Sequence, residues 1–237
     1  MVRVSEPALL RAAVKYGRAV AHVTMMYRHL RDRREEGAFD LEVSVDETES
    51  PTTHAEHLYV ASELRRLGAR CASLAPRYVG RFEKGVDYIG DVAAFDAHLV
   101  VHAAIARAFG PYKLSLHSGS DKFSIYPWAV ERTRGLVHLK TAGTSYLEAL
   151  RTVSQVEPAL FRVIYRFSLA NYERDRASYH VSARLDRVPP ADRMSDAGLP
   201  AILDDFDARQ VLHVTYGSVL TARDAGGRPR FLDPLLC

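Results

Sequence analysis

Two short runs of alternating polar and apolar residues lie in the middle of the chain and predict two strands. The run 113–117 places His117 on its polar face, and the run 136–140 places His138 and Lys140 on its polar face. A glycine-containing loop follows each run, and sites in α/β proteins are commonly built at this end of the strands. We therefore expect both imidazoles to line one site, although each alone also fits a buried histidine with an ordinary hydrogen-bond partner.

Further strands are predicted before and after this pair. One of them places Glu42, Ser44 and Asp46 on a single face, as expected for an edge strand facing water or a strand lining a polar interior. Another, the last in the chain, carries His213 and is followed by Gly217. These strands are predicted at 39–46, 70–74 and 211–216, with a further possible strand at 179–183.

Helical periodicity and end signals predict helices between the strands. Thr53 and Glu56 have the spacing of a capping box, and Gly68 fits the end of the same helix. His98 and His102 are four residues apart on another helix, a spacing that can bind zinc, but the glutamate of HExxH is absent and we interpret both as structural. The predicted helices are 6–36, 53–68, 91–109, 144–153, 157–175 and 199–206.

The order of these elements indicates an α/β fold. Strands that alternate with helices predict a mostly parallel sheet with right-handed crossovers. We predict one α/β domain over 1–237 with five strands and one possible further strand, fewer than the eight of a closed barrel. The sheet is therefore predicted to be an incomplete barrel, an open sheet or a part that needs another chain.

Composition narrows the possible functions. The chain has 237 residues and a net charge of +3, and it has no basic stripe with interleaved aromatic residues, so nucleic acid is not an expected partner. Its apolar runs fall short of a membrane span, and its N-terminus lacks the pattern of a signal peptide. Cys71 and Cys237 do not form a disulfide framework or a metal motif. We expect a cytoplasmic protein.

Familiar catalytic motifs are absent, and a different set of polar residues remains. There is no GxGxxG after a strand, no GxxxxGK[ST] and no GxSxG. Histidine with carboxylate is a ligand set for a divalent cation with open positions, and Lys and Arg nearby suit an acidic substrate. Only five of the 32 basic residues are Lys, and four of these lie between 84 and 140. The remaining candidates are Glu42, Asp46, Glu47, His117, His138, His213, Lys84, Lys122 and Lys140.

Around these residues the chain resembles the tagaturonate epimerase family over nearly its whole length. The resemblance implies interconversion of D-tagaturonate and D-fructuronate, a divalent cation and a TIM-barrel-like (β/α) architecture. Family members are usually longer at their N-terminal side, so the chain resembles their C-terminal part and implies an incomplete barrel. The stretches that carry it are FDLEVSVDETESPTT (39–53), APRYVGRFEKGVDYIGD (75–91), YKLSLHSGSDKFSIYP (112–127), HLKTAGTSYLEALR (138–151), YHV (179–181) and LHVTYG (212–217).

The implied reaction inverts a carbon that is β to a ketone. A proton on that carbon is not acidified by the carbonyl, so the two routes are retro-aldol cleavage with re-addition, or transient oxidation by a dinucleotide. The missing dinucleotide motif favours the first route, which needs a Lewis acid and an acid–base pair.

The resemblance assigns hypothetical roles to the candidate residues. His117 and His138 are the expected metal ligands, with Glu42 or Glu47 as the carboxylate ligand. Glu42 and Asp46 are candidates for proton transfer. The lysines are expected to bind the uronate carboxylate or the developing oxyanion, and His213 is either a further metal ligand or a hydrogen-bond partner of the substrate. The expected substrate-binding residues are Lys84, Asp121, Lys122, Lys140, Thr141 and His213.

The expected partner is a small keto-uronate, and the unpaired edges of a half-barrel suggest a homo-oligomer or a complementing chain. Two alternatives stay open. One is a related metal-dependent sugar isomerase or aldolase. The other is a truncated, non-catalytic fragment that binds sugar acids or a partner.

Overall fold

The computed structural model describes residues 4–35 and 37–236. Two residues discussed above lie outside this range: Glu36, where the first helix was predicted to end, and Cys237. The strands are β1 (Glu42–Ser44), β2 (Ser73–Ala75), β3 (Lys113–Leu116) and β4 (Val137–Leu139). The α-helices are α1 (Glu6–Arg31), α2 (His54–Arg66), α3 (Val92–Phe109), α4 (Tyr126–Thr133), α5 (Thr144–Val156), α6 (Pro158–Asp175), α7 (Phe206–Val214), α8 (Tyr216–Thr221) and α9 (Leu232–Leu236). Short 3-10 helices occupy Arg176–Ser178, Leu185–Arg187, Ala191–Arg193 and Asp196–Asp204.

The chain divides into two compact units. The first contains the sheet and α1 to α4, and the second contains α5 to α9. The first holds the described residues up to Arg81 with Tyr88–Gly119 and Phe123–Lys140, and the second holds Phe82–Asp87, Ser120–Lys122 and the described residues from Thr141. The prediction of a single domain stays a prediction.

The first unit is built on a parallel sheet whose strands pair in sequence order, β1–β2–β3–β4. Val43, Leu74, Leu114 and Val137 are aligned across it by the strand register, and the first three are buried. Because side chains alternate along a strand, the polar residues on either side of this row lie on the opposite face. The predicted α/β class with a parallel sheet is confirmed, whereas closure into a barrel stays a prediction.

The end signals of two helices of the first unit are confirmed in atomic detail. Thr53 Oγ accepts a hydrogen bond from the backbone N–H of Glu56 at 3.2 Å, and the Glu56 carboxylate accepts one from the Thr53 N–H at 2.7 Å. Asp91 caps α3 by accepting from the N–H of Ala93 at 2.8 Å. These caps fix where α2 and α3 begin, and both helices carry histidines that matter below.

Helix α3 is long and apolar enough, by length and composition, to cross a membrane, and it is one such helix in the described part of the chain. Its buried residues include Phe95, Leu99 and Ile105, and it contacts α2, α4 and β3. Core helices of soluble proteins have the same composition, so this feature is weak evidence for a membrane span.

Two predicted strands are wrong. Residues 211–216 belong mostly to α7 and not to a strand, and they are followed at once by α8. Val211, Leu212, His213 and Val214 are all buried, and the alternation within so short a run does not distinguish a buried helix segment from a strand. The possible strand at 179–183 is extended chain without strand pairing in the described residues.

Helices replace other expectations. Helix α4 lies between the two central strands, where no helix was predicted, and the short helix predicted at 199–206 is the 3-10 helix Asp196–Asp204. The described residues therefore hold four strands, fewer than the five predicted.

Candidate active site

A carboxylate on β1 is the centre of a hydrogen-bond network on the polar face of the sheet. Glu42 Oε2 accepts a hydrogen bond from Ser73 Oγ at 2.6 Å and lies 2.8 Å from Nδ1 of His138. Glu42 Oε1 lies 2.7 Å from Nε2 of His117, which follows β3. Ser115 Oγ lies 3.1 Å from Nδ1 of His138. Side chains from all four strands or their ends therefore meet around one carboxylate.

His117 lies between two carboxylates. Its Nδ1 is 3.0 Å from Asp46 Oδ2, on the side of the ring opposite Glu42. The hydroxyl of Ser44 donates a short hydrogen bond to the other oxygen of Asp46. Burial acts to lower the pKa of His117, but its hydrogen bonds to Asp46 and Glu42 outweigh burial and raise the pKa. The imidazolium form of His117 is therefore favoured.

The two carboxylates of this network are stabilised in their charged forms. Burial acts to raise the pKa of Glu42, but hydrogen bonds from Ser73, His117 and His138 outweigh it and lower the pKa to about 2. The pKa of Asp46 is also lowered, since hydrogen bonds from His117 and Ser44 outweigh the effect of burial. Glu42, which has four side-chain donors where Asp46 has two, is the stronger anionic anchor and the weaker proton acceptor of the two.

Two predicted residues of the same unit lie at its surface. Glu47 is exposed and forms no hydrogen bond or ion pair with any residue that the structure describes. Lys140 is exposed too, and its charge acts to lower the pKa of His117. The first unit thus brings together Glu42, His117 and His138, but not Glu47.

In the second unit, Lys122 is fully buried and holds two segments together. Its ammonium group donates hydrogen bonds to the backbone carbonyls of Glu83 at 2.8 Å and Ser120 at 3.0 Å, and a short one to the carbonyl of Val86. Burial lowers its pKa to about 8, against the opposing effect of the nearby Asp121 carboxylate. Each of the three N–H donors of Lys122 therefore has a carbonyl acceptor, and the lysine serves to position the segments 82–87 and 120–122.

An ion pair lies next to this lysine. Arg209 Nη2 is 3.0 Å from Oδ1 of Asp121, and Arg209 Nε donates to the carbonyl of Gly85 at 2.6 Å. Both charged side chains are largely buried, with 13% and 8% of their surfaces exposed. Asp121 Oδ2 is buried and has no hydrogen-bond partner among the described residues.

His213 reaches this cationic region from α7 and not from a strand. Gly143, which precedes α5, lies so close that an added Cβ would be 2.5 Å from Cε1 of His213. Burial lowers the pKa of His213 to about 4, and the charges of Lys84, Lys122 and Arg209 act in the same direction. His213 is therefore neutral at pH 7.

Several polar atoms of the second unit are buried without a hydrogen-bond partner among the described residues. Native proteins rarely leave such groups unsatisfied, so each of these atoms has room in its hydrogen bonding for a polar partner. Thr141, another predicted residue, is exposed. The atoms are Asp121 Oδ2, Thr144 Oγ1, Tyr146 Oη, Ser168 Oγ, Asp175 Oδ2 and His213 Nδ1.

A second group of histidines lies between α2 and α3 in the first unit. One ring nitrogen from each of His54, His98 and His102 lies within 4.8 Å of the others, and these three could hold a metal ion. His102 Nδ1 is 2.7 Å from Nδ1 of His57, whose Nε2 is 2.8 Å from the hydroxyl of Tyr112. Burial lowers the pKa of His57 to about 3, and burial is also the largest cause of the lowered pKa values of His98 and His102.

Sequence reasoning missed several members of these groups. His54 and His57 follow the capping box of α2 at a spacing of three residues, which is a signal for one helix face. Ser73 and Ser115 occupy the polar positions of apolar strands, and that alternation was detectable. Arg209 carried no signal, because its ion pair with Asp121 joins positions 88 apart.

Comparison with known proteins gives one consistent result. Residues 1–236 match the family model for tagaturonate epimerase. A curated relative, the tagaturonate/fructuronate epimerase of Thermotoga maritima, is 51% identical over 234 residues, which are 99% of this chain and 48% of the relative. The chain therefore spans about half the length of the curated relative it matches.

Solved structures agree with this. The native crystal structure of a fructuronate-tagaturonate epimerase from Cohnella laeviribosi matches with a TM-score of 0.94 and 42% identity, over 99% of this chain and 48% of that chain. A complex of the same enzyme with two glycerols matches with a TM-score of 0.91 and 42% identity, over 95% and 46% of the two chains.

Proposed function

The chain belongs to the tagaturonate epimerase family, and on this premise we propose that it is a part of a metal-dependent epimerase interconverting D-tagaturonate and D-fructuronate. The observation that carries the proposal is the meeting of Glu42, Asp46, His117 and His138 on one face of the sheet. Family membership supports the substrate pair, and this network supports acid–base chemistry beside a cation.

The residues of the network fit a divalent cation. Two imidazoles and one carboxylate are a common donor set, and a bound cation would replace the proton that His117 shares with Glu42, 2.7 Å away. We assign His117, His138 and Glu42 as ligands in preference to Glu47, which is exposed and makes no described contact. Asp46, bound to the other nitrogen of His117, would fix the orientation of that ring. When bound, the cation would supply Lewis acidity.

Asp46 is the proposed proton acceptor. Glu42 is a weak base because four donors surround it and its pKa is about 2. In the retro-aldol direction, Asp46 takes the proton of the hydroxyl on the carbon to be inverted, and the electron pair of the neighbouring C–C bond moves toward the ketone. The aldehyde rotates, the bond forms again on its other face, and the proton returns to the new alkoxide. Atoms and charges balance without a redox cofactor.

The second unit, taken by itself, has the charge needed to bind a carboxylate. Lys84 and Arg209, whose charges act on His213, supply cationic groups, and the buried polar atoms of this unit supply hydrogen-bonding groups. Binding of the uronate carboxylate by Lys84, Asp121, Lys122, Lys140, Thr141 and His213 stays a prediction, and Lys122 contributes mainly by positioning its loops.

A second proposal concerns the form of the protein that is active. It spans 48% of the curated relative, and its sheet ends in β1 on one side and β4 on the other. We infer that a complementing chain, or a second copy, supplies what the longer relatives hold in one polypeptide, and that the four strands belong to a TIM-type barrel. A cytoplasmic location stays a prediction.

Substitution of Glu42 tests the proposed site. With the complementing part present, Glu42→Gln is expected to lower kcat/KM for D-tagaturonate at least ~100-fold, because it removes the charged ligand. Product formation is measured by NMR, with and without Mn²⁺ or Zn²⁺. Glu47→Gln is the matched control and is expected to change kcat/KM by less than about 3-fold, of the order of a surface substitution. Equal losses in both variants would contradict the assignment.

A further inference from the structure

Helices α2 and α3 bring three imidazoles together at a place that shares no described hydrogen bond with the Glu42 network. His54 is the first residue of α2, and His98 and His102 lie one turn apart on α3. Sequence reasoning treated the pair on α3 as packing because the HExxH glutamate is missing. The third histidine comes from another helix, which a search within one helix does not detect.

We propose that His54, His98 and His102 bind a transition-metal ion of the zinc class, in a site separate from the cation proposed at Glu42. The distances carry the proposal. One ring nitrogen of each residue lies within 4.8 Å of the others. Nε2 of His98 and Nε2 of His102 are 3.2 Å apart. Two nitrogens bound to one tetrahedral ion at ~2.0–2.1 Å are separated by roughly 3.3 Å.

The surroundings of His102 hold its ring in the orientation that a ligand needs. His57 hydrogen-bonds to Nδ1 of His102, and Tyr112 hydrogen-bonds to the far nitrogen of His57, at 2.7 and 2.8 Å. Nε2 of His102 is therefore directed at His98 and not at the His57 side. Histidine ligands are usually held in this way through their second nitrogen.

The protein alone does not satisfy all of these rings. His98 Nδ1 is buried and has no hydrogen-bond partner among the described residues. The contact between His98 and His102 leaves two nitrogens to share one proton, and His98 Nε2 also lies 3.2 Å from the carbonyl of Thr52. An ion bound to Nε2 of both His98 and His102 would replace this contact between two imidazoles, and an ion is one of the usual partners of polar groups that the protein leaves unsatisfied.

The donor set selects the kind of ion. The group contains three imidazoles and no carboxylate. Neutral nitrogen ligands suit Zn²⁺, Co²⁺ and Ni²⁺, whereas Mg²⁺, Ca²⁺ and Mn²⁺ prefer oxygen. Three protein ligands leave a fourth position for water or a small ligand. A bound ion would join α2 to α3 and stabilise the first unit by binding only the folded chain.

The test is the number of Zn²⁺ or Co²⁺ ions that the full chain binds after removal of metals by a chelator. Wild type is expected to bind one equivalent more than His54→Gln, and Co²⁺ in that site is expected to give the intense visible absorption of tetrahedral coordination. Zn²⁺ is also expected to raise the Tm of wild type. The Tm of His54→Gln should rise less, because this variant lacks the contribution of the three-histidine site. His22→Gln, at an exposed position on α1, is the control and should match wild type.

The outcomes separate this site from the catalytic proposal. His117→Gln is expected to remove a different equivalent, and loss in the double variant should be additive. If His54→Gln and wild type bind equally, or if neither binds, the inference is overturned. Loss in His54→Gln with no loss in His117→Gln would support the inference and contradict the cation assigned to Glu42. His98→Asn, read by the same Co²⁺ absorption, covers the case in which His54→Gln fails to fold.

Discussion

At the scale of single residues, the role of a charged side chain depends more on the groups that surround it than on its residue type. Glu42 and Glu47 are five positions apart and were equally plausible ligands. One is surrounded by donors from three neighbouring strands, and the other is exposed. Lys122 likewise was expected to bind substrate from its position in the sequence, yet its ammonium group donates hydrogen bonds to three backbone carbonyls.

His213 gives a prediction for the pH dependence of stability. Its pKa is about 4 in the folded chain and 6.5 in the unfolded chain, so the unfolded state binds the proton more readily. This contribution is complete above pH 6.5 and is lost as pH falls toward 4. At ~1.4 kcal/mol for each pKa unit it amounts to roughly 3 kcal/mol. Urea unfolding at several pH values measures it.

The control for that measurement is His213→Gln, which keeps a polar side chain but does not titrate. Its unfolding free energy should fall less steeply between pH 6.5 and 4 than that of wild type. An identical slope in the two proteins would show that His213 is not held neutral in the folded state.

Gly143 gives a prediction about backbone and space together. Its φ is +78°, and an added Cβ would be 2.5 Å from the ring of His213. Gly135 has a similar φ of +80° but nothing within 4 Å of such a Cβ. Gly143→Ala should therefore lower the unfolding free energy by about 2–4 kcal/mol, and Gly135→Ala by only about 1 kcal/mol. Thermal or urea unfolding compares them, and equal losses would contradict the close contact with His213.

At the scale of elements, end signals were more informative than periodicity. The capping box predicted α2 and is present atom by atom. The run 211–216 was assigned to a strand from its alternation, but Asp205 accepts a hydrogen bond from the N–H of Ala208 at 2.8 Å and starts α7. Asp205, which directly precedes Phe206 and lies six residues before this run, was the N-cap signal that favoured a helix.

Removal of that cap tests the importance of α7. Asp205→Ala is expected to lower the unfolding free energy by about 1 kcal/mol, since an N–H at the helix start loses its acceptor. Asp204→Ala, which removes an exposed ion pair with Arg151 at 2.8 Å, is the neighbouring control and should cost less than ~0.5 kcal/mol. Urea unfolding compares the two. A larger loss in Asp204→Ala would show that α7 does not depend on its cap.

At the scale of the whole molecule, half of the family's length is present and both edges of the sheet end in a strand of three residues. Unpaired strand edges favour association. Under the proposal above, activity requires the part of the family's length that lies outside this chain.

Co-expression tests this. The chain is produced alone and together with the remaining half of a full-length relative, and mass in solution is measured alongside turnover of D-tagaturonate. We expect turnover to rise at least ~10-fold with the added half, because catalytic groups need near-contact geometry that an incomplete site does not supply. Full activity of the chain as a monomer would contradict the need for a complement.

The sequence by itself determined the alternation of helices and strands, the parallel sheet, and the strand faces that carry Glu42, Ser44, Asp46, His117 and His138. These follow from periodicity and caps, which act over a few neighbouring residues. Only the tertiary structure decided that Glu42 and not Glu47 meets both imidazoles, that His213 belongs to a helix, and that His54 joins His98 and His102. Each of these depends on contacts between residues distant in sequence, and no local pattern contains such distances.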